Sequence, residues 1–372
     1  MPHMYLKKLS LVNFKNYAEA DLNFESAINC FVGNNGSGKT NVLDAIYYLA
    51  FSKSFFNNID SQNILHNEPF FVVQGEFLKE EKTDIVYCGF KRGDKKQLKR
   101  NKKTYTKFSE HIGQYPLVMI SPNDSTLITE GSDERRKFID GVISQIDKTY
   151  LEVLLSYNKV LIQRNTLLKQ FFETKRTDLE TLSIWSEKLI EFGIVIHKKR
   201  ADFIEDFNVF FEKYYKEISQ NQESVKLNYV SQLNDSEFKT ILEENTSTDL
   251  RRQHTTQGIH KDDLEFVINR YPIKKFGSQG QQKSYLISLK LAQYDFIFQK
   301  KKTLPLLLLD DIFDKLDKNR VAALLKIIDS ENFSQIFITD TEKDRLKSIL
   351  KNMSKSYTFF NVINGKIDYA KN

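Results

Sequence analysis

Gly33-Asn34-Asn35-Gly36-Ser37-Gly38-Lys39-Thr40 decides how the rest of this sequence is read. It fits the pattern G-x-x-x-x-G-K-[ST]. The apolar segment Ile28–Val32 precedes it, and a helix is expected to follow as far as about Phe51. A loop so placed turns a strand into a helix. Its glycines let backbone N–H groups wrap a phosphate, and the helix N-terminus favours negative charge. Lys39 is positioned to reach the β- and γ-phosphates of a nucleoside triphosphate, and the Thr40 hydroxyl to ligate Mg2+.

Leu306-Leu307-Leu308-Leu309-Asp310-Asp311 supplies the complementary half. An unbroken apolar run reads as a strand buried on both faces, and this one ends in two carboxylates. Asp310 is expected to meet the magnesium from the second side. Asp311 is then placed to orient or deprotonate an attacking water, which makes Lys39 and Asp311 the catalytic candidates. An apolar strand ending in Asp-Asp is common alone; beside the glycine loop it acquires meaning. Lys39 and Asp310 lie 271 positions apart. The two ends of the chain must therefore fold together into one nucleotide head.

What lies between has a different texture. From Glu134 to about Lys216 there is no proline, and Gly141 and Gly193 are the only glycines. Apolar residues recur at helical spacing, as in Phe138, Val142 and Ile146, or Trp185, Leu189 and Ile196. Several helices are predicted, at least two of them long, forming an all-α insertion. The flanks read as mixed α/β, with strands at 70–77, 83–91, 97–107, 117–121 and 264–269. The predicted architecture is a discontinuous α/β head, residues 1–122 plus 258–372, with a mainly α-helical arm over 123–257.

Composition excludes several classes. The 372 residues are 40% hydrophobic and 28% charged, enough for a sizeable core under a well-hydrated surface. No apolar run nears the roughly 18 residues that cross a bilayer, so no membrane association is expected. The start, Met1-Pro2-His3-Met4, lacks the apolar core of a signal peptide. Cys30 and Cys88 are the only cysteines, so no disulfide framework or CxxC zinc site is expected, and a reducing, cytoplasmic setting is. The net charge of +6 is local: Lys91–Lys107 holds nine basic residues and one acid. That run reads either as a DNA-backbone surface on a β-hairpin, through Lys95, Lys96, Lys99, Arg100, Lys102 and Lys103, or as a solvated hairpin.

The glycine loop, the carboxylate strand and the long insertion between them resemble the ABC-type ATPases of the SMC and RecF group. Phe276-Gly277-Ser278-Gln279-Gly280-Gln281 resembles the L-S-G-G-Q signature, 32 residues before Asp310. The resemblance implies that Ser278, Gln279, Gly280 and Gln281 reach ATP held by a second copy, so that two heads sandwich two ATPs. Asp314-Lys315-Leu316-Asp317 resembles the D-loop at Leu316 and Asp317, and departs from it at Asp314, where a small residue is usual. Thr339 stands where transporters of the superfamily carry a switch histidine and RecF proteins a threonine.

Further segments are similar to the RecF family itself: Leu9-x-Leu11-x-Asn13-Phe14-Lys15-Asn16-Tyr17, Ser121-Pro122-Asn123-Asp124 with Gly131 and Arg135-Arg136, Tyr157 with Gln163-Arg164-Asn165, and Gly258-Ile259-His260-Lys261-Asp262-Asp263-Leu264. They run through the whole chain in order. Departures stand at Asn123, Asp133 and Ile259, away from the nucleotide chemistry. The resemblance implies a slow, DNA-stimulated ATPase that dimerises on DNA when ATP is bound. The implied partners are double-stranded DNA and single-strand/double-strand junctions, RecR with RecO, and RecA indirectly. The implied process is gap repair and the SOS response, in the nucleoid. Another SMC-like ATPase, or a DNA scaffold gated by nucleotide, would share these residues.

Four features stay open on the residues alone. Arg135-Arg136 reads as a binding pair or as part of a helix cap, and Arg251-Arg252 is similar. Lys15 reads as a neighbour of the nucleotide or as a surface lysine. His260 with Asp262 and Asp263 reads as a hydrogen-bonded turn rather than a metal site.

Overall fold

The computed structural model describes residues 4–79, 82–220, 223–313 and 316–370. Asp314 therefore lies outside the described residues. The chain divides into two compact units: residues 1–124, 217–220 and 283–372, and residues 125–216 with 221–282.

The first unit begins with β1 (Met4–Phe14), β2 (Tyr17–Asn23), β3 (Ile28–Val32) and α1 (Lys39–Phe51). It continues through β4 (Phe70–Lys79), β5 (Lys82–Lys91), β6 (Gln97–Arg100), β7 (Lys103–Thr104) and β8 (Leu117–Ile120). Then come, in the second unit, α2 (Thr126–Thr129), α3 (Ser132–Ile146), α4 (Lys148–Thr174), α5 (Leu179–Ser219, its residues from 217 on counted with the first unit), β9 (Val225–Val230), α6 (Phe238–Arg252), β10 (Asp263–Ile268), β11 (Tyr271–Pro272) and α7 (Ile273–Phe276). The division between units falls within α8 (Gln279–Lys301), and the first unit closes with β12 (Leu306–Asp310), α9 (Lys318–Ile328), β13 (Ile336–Asp340), α10 (Lys343–Leu350), β14 (Tyr357–Ile363) and β15 (Lys366–Ala370).

Two six-stranded sheets build the first unit. One is antiparallel, in the order β2-β1-β4-β5-β6-β7; the other has the order β15-β14-β3-β13-β12-β8 and is parallel except for β15. Every residue of β3, β8, β12 and β13 is buried. That is why these strands read as continuous apolar runs, while β4 alternates. Helix α1 packs against β4 and β5 of one sheet and β8, β12 and β13 of the other. Enclosed on both sides, it is apolar nearly all round, with Val42, Leu43, Ala45, Ile46 and Leu49 fully buried. It ends where Ser52 turns left-handed at φ 55°, its N–H donating to Tyr48 O at 2.8 Å.

The stretch expected as one strand over 97–107 is two. Asn101 and Lys102 adopt φ of 50° and 68°, and β6 folds back on β7 there as a tight hairpin.

The second unit contains the two long helices, α4 of 27 residues and α5 of 41. It is not all-α. β9 pairs antiparallel with β10, and β10 with β11. This pairing draws residues 258–282 into the second unit, so the return to the head comes at 283 rather than at 258. Val225-Lys226-Leu227-Asn228 alternates buried and outward residues as a strand does, within an arm expected to be mainly α-helical. Arg164 and Asp249, fully buried and 2.7 Å apart, tie α4 to α6.

Candidate nucleotide-binding site

The loop of residues 33–40 joins β3 to α1, as its sequence predicts. Lys39 is buried, and its Nζ donates to the carbonyls of Gly33 at 2.7 Å and Asn34 at 2.9 Å, so the ammonium lies across the loop. Asn34, Asn35 and Gly36 are exposed on the loop's outer side. Gly38 begins α1 at φ 117°, a conformation that favours glycine. A Cβ there would lie 2.4 Å from Asn16 Nδ2 and 2.8 Å from Tyr17 Oη, so that position also has no room for a side chain.

The loop's own sequence does not announce those two neighbours. Asn16 Nδ2 donates to Ser37 O at 2.9 Å, Asn41 Nδ2 donates to Asn16 Oδ1 at 2.7 Å, and Tyr17 Oη donates to Gly38 O at 2.9 Å. From the C-terminal hairpin, Gly365 N donates to Ser37 O at 3.0 Å. The turns β1–β2 and β14–β15 thus hold the loop's shape from outside. The Leu9–Tyr17 pattern does not by itself say what Asn16 touches.

Opposite Lys39, β12 delivers its carboxylates. β13 lies between β3 and β12, with Asp310 beside Thr339. Asp310 Oδ1 accepts from Thr40 Oγ1 at 2.9 Å and from Thr339 Oγ1 at 2.8 Å. Burial pushes the Asp310 carboxyl above the ordinary carboxylate range; the bonds from Thr339 and Thr40 pull it back, and the charge of Asp311 adds to the rise. Asp311 follows at φ 49°, its N–H donating to Thr339 Oγ1 at 2.9 Å. Thr339 therefore bridges the two acids, a role invisible in its sequence position. A hydroxyl and a carboxylate 2.9 Å apart beside a buried ammonium are the hard oxygen ligands and positive charge that a magnesium–triphosphate would meet. Among the described residues, the buried Ser37 Oγ has no hydrogen-bond partner, so the loop retains polar capacity.

In the second unit, Ser278 and Gln281 cap the start of α8 reciprocally. Ser278 N donates to Gln281 Oε1 at 2.7 Å, and Gln281 N donates to Ser278 Oγ at 3.2 Å. Gln281 Nε2 also donates to Glu223 Oε1 at 2.7 Å. Ser278 and Gln279 are exposed, and Gly280 is half-buried.

Comparison with known proteins bears on the whole chain. Residues 5–130 match the family described as RecF/RecN/SMC N terminal domain. The chain is 53% identical to the DNA replication and repair protein RecF of Flavobacterium johnsoniae over 359 residues, covering 96% of this chain and 100% of that one. It is 50% identical to that of Bacteroides thetaiotaomicron, covering 98% of each. The chain belongs to the RecF family. A solved structure of the recombination mediator protein RecF with ATP, in the RecFOR pathway, superposes with a TM-score of 0.90 at 32% identity, covering 99% of this chain and 98% of that one. The SMC head of Pyrococcus furiosus shares the fold, at a TM-score of 0.57 and 20% identity. This RecF-family chain is thus a DNA-repair ATPase with an ABC/SMC-type head.

Other RecF-like residues make contacts within the fold. Arg135 grips Asp263, Nε to Oδ1 at 2.7 Å and Nη2 to Oδ2 at 3.0 Å, and Arg136 binds Asp262 O and Asp133. His260 Nε2 donates to Thr255 O at 3.1 Å, its Nδ1 accepts from Tyr157 Oη at 2.9 Å, and burial lowers its pKa to about 4. Among the described residues, no group of three or more His, Cys, Asp or Glu could hold a metal. Lys15 Nζ pairs with the buried Asp44 at 2.6 Å. Asp317 caps α9 through Arg320 N at 3.0 Å, while Leu316 is half-buried. Asp124 pairs with Lys290 at 2.7 Å, both buried.

The basic hairpin divides in two. Lys96 Nζ donates to Ser52 O at 2.6 Å and pairs with Asp60 at 2.9 Å, which fixes it to the C-terminal end of α1. Arg100 pairs with Asp84 at 2.7 Å. Lys95, Lys102 and Lys103 are exposed, and Lys99 lies over the Tyr87 ring. Among the described residues, no helix is long and apolar enough to cross a membrane.

Proposed function

We propose that this chain binds Mg-ATP in the loop of residues 33–40, dimerises on DNA while ATP is bound, and lets go when ATP is hydrolysed. The observation that carries this reading is the Thr40–Asp310 hydrogen bond beside the buried Lys39. Lys39 and the N-terminus of α1 hold the β- and γ-phosphates. Thr40 and Asp310 hold the magnesium, whose charge stabilises the phosphate oxygens. Asp311 takes the proton of the water that attacks the γ-phosphorus as the bond to the β-phosphate oxygen breaks. Thr339 fixes Asp310 and the backbone of Asp311.

Ser278, Gln279, Gly280 and Gln281 serve the ATP of a second copy, at a helix start whose dipole suits an anion. Leu316 and Asp317 serve as the D-loop of this reading. Lys95, Lys99, Lys102 and Lys103 contact the DNA backbone, while Lys96 and Arg100 hold the hairpin that carries them. Such contacts make binding steeply salt-dependent with little base reading. The discontinuous head of this reading is completed by the second unit as its arm. The reading extends to RecR with RecO as partners, to RecA loading at junctions, to the SOS response, and to the cytoplasm.

Sedimentation with duplex DNA, with and without Mg-ATP, tests it. Wild type should form a DNA-bound dimer only with Mg-ATP, and Lys39→Met should not. A wild type that stays monomeric and free of DNA at low salt overturns the clamp.

A further inference from the structure

We infer that the outer face of the antiparallel sheet carries a pocket for one unpaired DNA base, floored by Tyr87. Tyr87 and Gly89 share a face of β5, two residues apart. A Cβ on Gly89 would lie 2.6 Å from Tyr87 Oη and 3.0 Å from the ring, so the ring lies down across the strand because that residue has no side chain. Glycine weakens a strand, and inside one it often marks a place of close approach. Beside the ring opens a cavity of about 210 Å3, lined by Phe70, Tyr87, Phe90, Lys91, Asp94 and Lys95, among others.

Its chemistry is selective. Lys99 is the cross-strand partner of Tyr87, and its Nζ stands 5.2 Å from the ring centroid. Lys91 and Lys95 stand on the rim, and among the described lining residues Asp94, 3.6 Å from Lys91, is the opposing charge. An aromatic floor under a cationic rim suits a flat ring attached to a phosphate. A bare anion makes no use of the floor. The volume falls below the roughly 300–1,000 Å3 of sites for drug-sized ligands, which fits a single ring system. A base within a duplex is stacked on both faces and cannot offer one to Tyr87. An unpaired base can, and stacking of this kind tolerates any base.

The inference rests on the proposed DNA role of the hairpin and deepens it. The lysines hold any duplex, and the pocket adds affinity only where a strand is unpaired. It therefore gives the head a preference for gaps over continuous duplex.

The test uses the full chain with Mg-ATP and two probes: a duplex with a short gap carrying 2-aminopurine at its first unpaired position, and the same duplex without the gap. Wild type should prefer the gapped probe about tenfold and change the 2-aminopurine fluorescence on binding. Tyr87→Leu should lose the preference and the signal, and Tyr87→Phe should keep both, which separates stacking from a folding defect. Equal preference in wild type and Tyr87→Leu overturns the pocket and leaves the DNA reading standing. A wild type that binds neither probe overturns the DNA reading, and the pocket with it.

Discussion

Thr40 Oγ1 donates to Asp310 Oδ1 at 2.9 Å across 270 positions of sequence. The first residue of the pair lies in the first turn of the helix after β3, and the second ends β12. They meet because β13 inserts between those strands and presents Thr339 to the same carboxylate oxygen. The carboxylate is buried, and its pKa is raised chiefly for that reason.

A raised carboxyl pKa in the fold means that the buried charge costs stability at neutral pH. The cost fades as pH falls through the folded pKa and is absent below the unfolded value of 3.8. Asp310→Asn, without nucleotide, should melt higher than wild type at pH 7–8, and the two curves should converge towards pH 4. The same variant should lose Mg-dependent ATP turnover. A melting difference of constant size across that range would sink the assignment of the charge to Asp310.

Asp311→Asn should cut ATP turnover by about 100-fold or more while leaving nucleotide binding in place. If hydrolysis times release, DNA should leave this variant more slowly. Stopped-flow dissociation into heparin measures it; release as fast as from wild type defeats the timer.

The hairpin lysines should separate by function. Changing Lys95, Lys102 and Lys103 together to Gln should lower the slope of log K against log salt by about 3. Lys96→Gln should leave the slope alone and lower the melting temperature, because it removes the ion pair with Asp60 and the bond to Ser52 O. Fluorescence anisotropy over a salt series, with thermal melts of each variant, distinguishes them.

His260 is held neutral, its pKa lowered from 6.5 to about 4 by burial. The stability it gives is complete above pH 6.5 and is lost as pH falls towards 4. His260→Gln should flatten that part of the acid-unfolding curve. A curve of unchanged slope between those limits would show that another group titrates.

The first unit was legible where one residue type must occupy one place. Gly38 and Lys39 announce the loop, and Leu306–Asp310 announces a strand enclosed on both faces. The second unit was legible in its long helices, where apolar spacing persists over many turns. β9 is hard to read from sequence because its four alternating residues carry little signal beside the long α5. Lys96 and Lys95 are adjacent and chemically identical, and only their neighbours make one an anchor and leave the other exposed.

The sequence by itself determined that this chain has a phosphate-binding loop, a carboxylate strand far away from it, and a basic run. Local chemistry suffices for these, since glycine geometry, apolar runs and net charge depend on residues close together in the chain. The tertiary structure decided that Asn16, Tyr17 and Gly365 shape the loop, that Thr339 joins Asp310 to Asp311, and that Tyr87 lies over Gly89. Each of these depends on strand order and register, which bring distant residues within a few ångströms and which no local pattern encodes.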